Sequence, residues 1–492
     1  MTGGEVLGNL GTDSEPKPDY KFIARVNEVK DARCEVFLPH SPGESAKLQL
    51  HTDLNLKKIP MKFSVEGDIV GFDGTLQMKI IANNVFLKGG RTSYWSKDML
   101  DTLVIGEPTD LTVTEYIKPD SEQKISDTVR GYFMVQPRWE FPFMKSLELS
   151  YTGEINVIEL DEYKFTISPG VDLIFDEYYR FTDRQAGQFT CTPEIVARFE
   201  TNSDTMKKIC DFNEIDDLLM LISLANQKRY MCMGYVISDS NTRTTYYRFG
   251  VGLDSSGVKQ HIFNELIKRS DWSEFVVSSY NRMCSLDNEK RGLFRRAINC
   301  GIPNKNEVFE SSYMSLYAGI ESLVELFSKE HSASRKVLKN EQWVDFRKGY
   351  ERLIGEVLKK PGDETPQQKT AAKSKALMDK LGSINCYPMG TAFELMRTEY
   401  NVNLEDLWPV YDTGKKKSDL SWIRNQLGHG RVIPHDKYHA LIGAKEHLKW
   451  TLERLILGFI GWPVEKSNVS KKFLANHMAC YCSLQKDRSN FQ

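Results

Sequence analysis

Hydrophobic and polar positions alternate along the first two hundred residues in a way that only extended chain satisfies. "KFIARVNEV", "CEVFLPH", "AKLQLHT", "LQMKIIANNVFLKG", "DTLVIG", "RGYFMVQP", "SLELSY", "INVIELDEYKFTIS" and "VDLIFDEYYRFT" alternate or are rich in β-branched and aromatic residues. Gly, Pro, Asp and Ser clusters separate them, as turns require. So many short strands predict a sandwich or barrel-like arrangement, with room for two lobes.

From Asp204 the period changes. "MKKICDFNEIDDLLMLISLANQ" predicts one helix. "RYMCMGYVIS" and "TTYYRFGVG" predict a hairpin across "DSNTR". "KQHIFNELIKRSDWSEFVVSSYNRM" predicts another helix, and beyond Asp287 the pattern is helical throughout. In "SSYMSLYAGIESLVELFSKE", Tyr313, Leu316, Tyr317, Ile320, Val324 and Phe327 form one apolar stripe. "EQWVDFRKGYERLIGEVLKK", "TAFELMRTEYN", "LSWIRNQL" and "HDKYHALIGAKEHLKWTLERLILGFIGW" add four helices. In the last, Tyr438, Leu441, Leu448, Leu452, Leu455 and Phe459 form the expected buried face, and Pro463 the expected stop. "PGDETPQQKTAAKSK" reads as a polar loop. The fold class expected is α+β. A flexible tail (1–19) precedes a β-rich domain (20–203), a mixed connecting region (204–286), an all-helical domain (287–464) and a polar C-terminal tail (465–492).

The chain has 492 residues, more than one core supports. Its net charge of −2 excludes a general basic coat, so any nucleic-acid contact has to be local. The opening "MTGGEVLGNLGTDSEPKPD" is polar and acidic, unlike a secretion signal. Nine scattered cysteines then read as free thiols in a reducing compartment, the cytoplasm. No apolar run reaches the roughly 18 residues of a membrane span.

Candidate chemistry concentrates in "SWIRNQLGHG", residues 421–430. Trp422, Ile423 and Leu427 give the segment a packing face, while Arg424 and Asn425 point elsewhere. Gly428 and Gly430 bracket His429, and glycine ends helices in the left-handed cap conformation. The helix is therefore expected to stop near Leu427 and fold back, letting His429 swing towards Arg424. A side chain that titrates near neutrality beside a permanent cation suits proton transfer with anion stabilisation. RNA cleavage through the 2′-hydroxyl needs that pair and no metal. Arginine offers a planar fork of donors to the phosphate oxygens, and Asn425 could fix the ring or contact the phosphate. Lys415, Lys416, Lys417, Arg431 and Lys437 surround the motif as an RNA-binding patch.

At Arg424, Asn425 and His429 the chain resembles the HEPN superfamily, whose nucleases carry Arg, often Asn next, and a His four to six positions after the Arg. The likeness extends over the helical domain of about 170 residues, where "SLYAGIESLVELF" looks like the early helix of that fold. A β-rich half followed by such a domain is similar to the ApeA-type anti-phage proteins. The resemblance implies a dimeric endoribonuclease that arrests translation in abortive infection, with tRNA as target, a phage-derived trigger, and catalytic Arg424, Asn425 and His429. One motif supplies one titratable group, so base and acid are expected from the two His429 rings of a homodimer. The alternative is a non-catalytic interaction protein whose helices only dimerise and whose β domain binds a ligand or phage component.

Other motifs read blandly. His435 and His439 stand at a spacing that can hold zinc, but no Glu or Cys completes a site. With His429 and His447 they are expected at the surface. Glu321 and Glu325 could orient a cation, although exposure is the simpler reading. "GVGLDSSG" lacks the Lys and spacing of a phosphate loop. No cofactor or metal is expected.

Overall fold

A period of two builds the N-terminal sheet. In β1 (Tyr20–Val26), Phe22, Ala24 and Val26 are buried while Lys21, Ile23 and Arg25 are exposed. The computed structural model describes residues 18–26, 29–38, 45–53, 59–70, 75–96, 99–117, 128–136, 164–168, 170–185, 188–249, 265–303, 307–331, 337–338, 340–358, 387–411, 419–431 and 433–489. The chain is α+β and divides into two compact units. The first comprises Met1–Leu219 and Tyr230–Val258, the second Met220–Arg229 and Lys259–Gln492.

Among the described residues of the first unit, thirteen antiparallel strands form one sheet. β2 (Val29–Phe37), β3 (Lys47–Thr52), β4 (Lys62–Val70), β5 (Leu76–Ser96) and β6 (Met99–Glu107) follow β1. β4 pairs with both β1 and β5, which closes the ring β4-β1-β2-β3-β6-β5 into a six-stranded barrel. Its core is filled by Phe22, Val36, Leu48, Leu50, Phe63, Val65 and Ile80. At Gly67 of β4, a Cβ would strike the Phe22 ring and lie 2.6 Å from the Ile23 carbonyl oxygen, so only glycine fits that crossing.

The long β5 also pairs with β7 (Asp110–Tyr116), which carries the sheet outward from the barrel. The hairpin β12 (Met231–Ser238) and β13 (Thr242–Arg248) sits between β7 and β8 (Thr128–Gln136). Asp239 closes its turn by accepting from the backbone of Asn241 and Thr242. β11 (Gln188–Asn202), β10 (Val171–Gln185) and β9 (Lys164–Ile167) complete the order. "SLELSY" and the first part of "INVIELDEYKFTIS" lie outside the described residues.

The expected single helix after Asp204 is two, α1 (Ser203–Ile209) and α2 (Asn213–Asn226). Phe212 between them has φ of +65°, which no helix tolerates. The connecting region is divided: α1 and the hairpin belong to the first unit, while α3 (Trp272–Cys284) belongs to the second.

The second unit contains α4 (Asn288–Gly301), α5 (Phe309–Glu330), α6 (Asn340–Leu358), α7 (Met389–Glu399), α8 (Leu420–Gly428) and α9 (Tyr438–Ile460). All six expected stripe residues of α5 are buried. In α9 the stripe holds from Leu441 to Phe459, but Tyr438, in its first turn, is exposed. Gly461, at φ +82°, ends α9 two residues before Pro463. The stretch expected as a polar tail forms α10 (Lys471–His477), α11 (Ala479–Cys482) and α12 (Leu484–Ser489). It is tied to α9 through Arg454, whose Nη atoms donate to both Asp406 oxygens at 2.6 and 2.8 Å and whose Nε donates to the Val469 carbonyl. The Tyr481 hydroxyl donates to the same Asp406 carboxylate. No helix among the described residues is long and apolar enough to cross a membrane.

Candidate active site

Tyr313, Tyr317 and Glu321 are spaced four apart on α5 and share one side of the helix. Leu420 and Arg424 are spaced the same way on α8. The buried Tyr313 hydroxyl donates to the Leu420 carbonyl at 3.0 Å, which anchors the start of α8. Asp419 caps that start by accepting from the Trp422 amide. Buried Ile423 packs α8 inward. One turn after Leu420, Arg424 therefore meets Tyr317 and Glu321.

The Arg424 guanidinium carbon lies 5.4 Å from the Tyr317 ring centre, a cation–π contact. Nη2 donates to Glu321 Oε1 at 3.4 Å and Nη1 to Asn425 Oδ1 at 3.3 Å. Both distances exceed the normal N–H···O range. Nε is enclosed and has no hydrogen-bond partner among the described residues. The side chain is 35% exposed, so the Glu321 pair is worth ~0–1 kcal/mol. Arg424 is thus oriented but under-satisfied. Arg454 in the same unit is 2% exposed, with Nε, Nη1 and Nη2 all bonded.

The Tyr317 hydroxyl donates to the Tyr411 hydroxyl at 2.8 Å. Burial pushes the Tyr317 hydroxyl up to about 12 and raises Tyr411 as well, so both rings stay neutral near pH 7. Sequence placed Tyr317 only in a buried stripe and gave Tyr411 no role. The signal available was the four-residue step from Tyr313 through Tyr317 to Glu321. Of the two glutamates, Glu321 meets the arginine, whereas Glu325 pairs with Lys329.

The helix end differs from the expected one. α8 runs through Gly428, and the left-handed residue is Gly430, at φ +65°. The Gly430 amide donates to the Leu427 carbonyl and the Arg431 amide to the Gln426 carbonyl. That pair of bonds is the Schellman arrangement. His429 is the C-cap, with its amide still bonded helically to Asn425. Five helical steps separate it from Arg424, about 7.5 Å of rise and about 140° of rotation. The chain reversal comes one residue after the histidine, at Gly430, and not before it. His429 and Asn425 are exposed, and the His429 ring has no hydrogen bond with any described residue.

Among the expected RNA contacts, exposed Arg431 donates to Gln426 at 3.0 Å, and half-buried Lys437 ends the 3₁₀ turn before α9. Lys415, Lys416 and Lys417 lie outside the described residues. His435 sits in that 3₁₀ turn near Tyr438, and His439 faces Asp487 at 3.7 Å. His447, expected at the surface, is fully buried. Its Nδ1 accepts from the Trp408 amide, and burial lowers its pKa to about 4. Cys34, Cys210, Cys232, Cys284, Cys300, Cys480 and Cys482 are free thiols, and no group of three or more His, Cys, Asp or Glu among the described residues is placed to hold a metal.

Comparison with protein-family models, with curated proteins and with solved structures found no match.

Proposed function

We propose that the second unit is a metal-independent endoribonuclease of the HEPN type, centred on Arg424, Asn425 and His429. The observation that carries this reading is the under-satisfied Arg424. An arginine kept for structure bonds its donors, as Arg454 does. Arg424 instead rests on an aromatic face with two long hydrogen bonds. A phosphate oxygen competes well for such a fork, since charge-assisted bonds to phosphate are shorter and stronger.

Arg424 then neutralises charge on the five-coordinate phosphorus, and Tyr317 with Glu321 holds its plane. His429 moves the proton, and its exposed ring is open to substrate. Because the two groups diverge along one helix, a second copy of the chain supplies the complementary histidine in a homodimer. The biological setting proposed is cytoplasmic: arrest of translation in anti-phage defence, with tRNA as substrate and the β-rich unit sensing a phage-derived trigger.

The rival reading is a non-catalytic interaction protein. The exposure of Asn425 and His429 favours the enzyme over a motif sealed by its own helices. Sequencing RNA ends after inducing the protein tests the proposal. Discrete new ends that vanish with His429→Ala support it, whereas identical end profiles for both proteins reject it.

A further inference from the structure

Elsewhere in the helical unit, away from the Arg424 motif in sequence, lysines gather around a cavity. A cavity of about 800 Å³ is lined by Lys268, Lys471, Lys472, Phe473 and His477, with Glu465 as its one acidic residue. The two hydroxyls of Ser467 and Ser470 also line it. Lys268, Lys471 and Lys472 are exposed, and none makes an ion pair with a described residue. Nearby charges are consumed elsewhere: Lys466 pairs with Glu274, and Arg269 with Glu265. The first unit offers a cavity of similar size, about 840 Å³, but its charges cancel. There Lys164 pairs with Asp172, Arg198 with Asp176 and Arg130 with Glu200.

Lys268, Lys471 and Lys472 are exposed cations around one cavity, where an anion can meet all three. Lysine binds phosphate as a compact point charge, and three around one bowl suit several phosphate groups better than one carboxylate. The aromatic wall adds a second requirement. The Phe473 and His477 rings lie 4.5 Å apart, and the Ser470 hydroxyl accepts from the Phe473 amide, which fixes the start of that turn. Aromatic faces beside phosphate-binding cations are what a nucleobase stacks on. The volume falls in the range of small-molecule sites, about 300–1,000 Å³.

We propose that this cavity binds a nucleoside polyphosphate, its phosphates among Lys268, Lys471 and Lys472 and its base against Phe473. The site is independent of the ribonuclease reading, since it shares no residue with the Arg424 motif.

Isothermal titration of the intact chain with ATP, with tripolyphosphate and with a 5′-hydroxyl RNA oligonucleotide tests it. Saturable binding of ATP and tripolyphosphate is expected. The Lys471→Ala/Lys472→Ala variant should weaken both at least about tenfold, and these exposed positions leave folding intact by circular dichroism. Phe473→Leu should weaken ATP about tenfold and leave tripolyphosphate unchanged. No binding of either anion at about 1 mM, or binding indifferent to the lysine pair, overturns the site. Equal weakening of both anions by Phe473→Leu overturns the base contact. Oligonucleotide that displaces ATP and binds more tightly overturns the choice of a free nucleotide.

Discussion

Glu321 on α5 accepts from Arg424 on α8 at 3.4 Å, across the 103 residues that separate them in sequence. The pair is weak and about a third exposed, so its value is orientation and not stability. Glu321→Gln should leave thermal stability nearly unchanged and reduce RNA cleavage several-fold, far less than Arg424→Ala does. Tyr317→Phe keeps the cation–π face and should retain more activity than Tyr317→Leu. Single-turnover rates on a defined RNA check both orders. Equal rates for wild type, Glu321→Gln and Tyr317→Leu would show that Arg424 needs no positioning.

Two buried groups of α9 respond to acid with opposite sign. The folded pKa of His447 is lowered to about 4 from 6.5 by burial, so the unfolded chain takes up its proton first. Its contribution to stability is complete above pH 6.5 and is lost as pH falls towards 4. Glu453 is raised to about 7 from 4.5 by burial, against the nearby Lys449. The folded chain takes up that proton first, so this group adds stability as pH falls from 7 to 4.5. The two offset each other between pH 6.5 and 4.5. Urea titrations from pH 7.5 to 5 should show wild type nearly flat, His447→Gln gaining stability and Glu453→Gln losing it. Parallel profiles for all three proteins would remove this account.

Asp406 faces Arg454, a cation only 2% exposed. Burial pushes its carboxyl up, but the hydrogen bonds and charge of Arg454, together with the Tyr481 hydroxyl, outweigh that and lower it overall. Its stabilisation is therefore present above pH 3.8 and is lost as pH falls below that value. Asp406→Ala leaves the Arg454 charge buried alone and should destabilise by about 3–5 kcal/mol at pH 7. Tyr481→Phe removes one bond to the same carboxylate and should cost only about 1 kcal/mol. Denaturant midpoints check the ratio; a near-neutral Asp406→Ala would mean that the pair does not hold the C-terminal helices.

Much of this architecture was legible in the period of the sequence. The alternation of Phe22, Ala24 and Val26 and the stripe of α5 name their own elements. β4 was not legible, although it closes the barrel. Its Lys62, Glu66, Gly67 and Asp68 look like a turn, and only the crossing with Phe22 explains the glycine. The break at Phe212 was hidden because a left-handed aromatic carries no signal of its own. His447 read as exposed because a histidine in a charged run gives no sign of the Trp408 amide that waits for it. In the candidate site, the motif itself was visible. The Tyr317–Tyr411 shelf was not, since it joins residues 94 apart. The placement of the reversal at Gly430 rather than Gly428 was a choice between two equivalent glycines, decided by which one completes the bonds to Leu427 and Gln426.

If each chain brings one proton carrier, mixing should reveal it. Heterodimers of wild type with His429→Ala are expected to lose most of their cleavage activity, not half. Mixed dimers that retain half or more, or a monomeric active species by light scattering, would place both proton transfers within one chain.

The central claim is tested most directly by incubating purified protein with bulk tRNA in excess EDTA, alongside Arg424→Ala and His429→Ala. The account predicts cleavage by wild type that leaves 2′,3′-cyclic phosphate ends, and a loss of ~10²-fold or more in each variant with circular dichroism unchanged. Full activity in both folded variants, or cleavage that stops with EDTA and leaves 3′-hydroxyl ends, would contradict it.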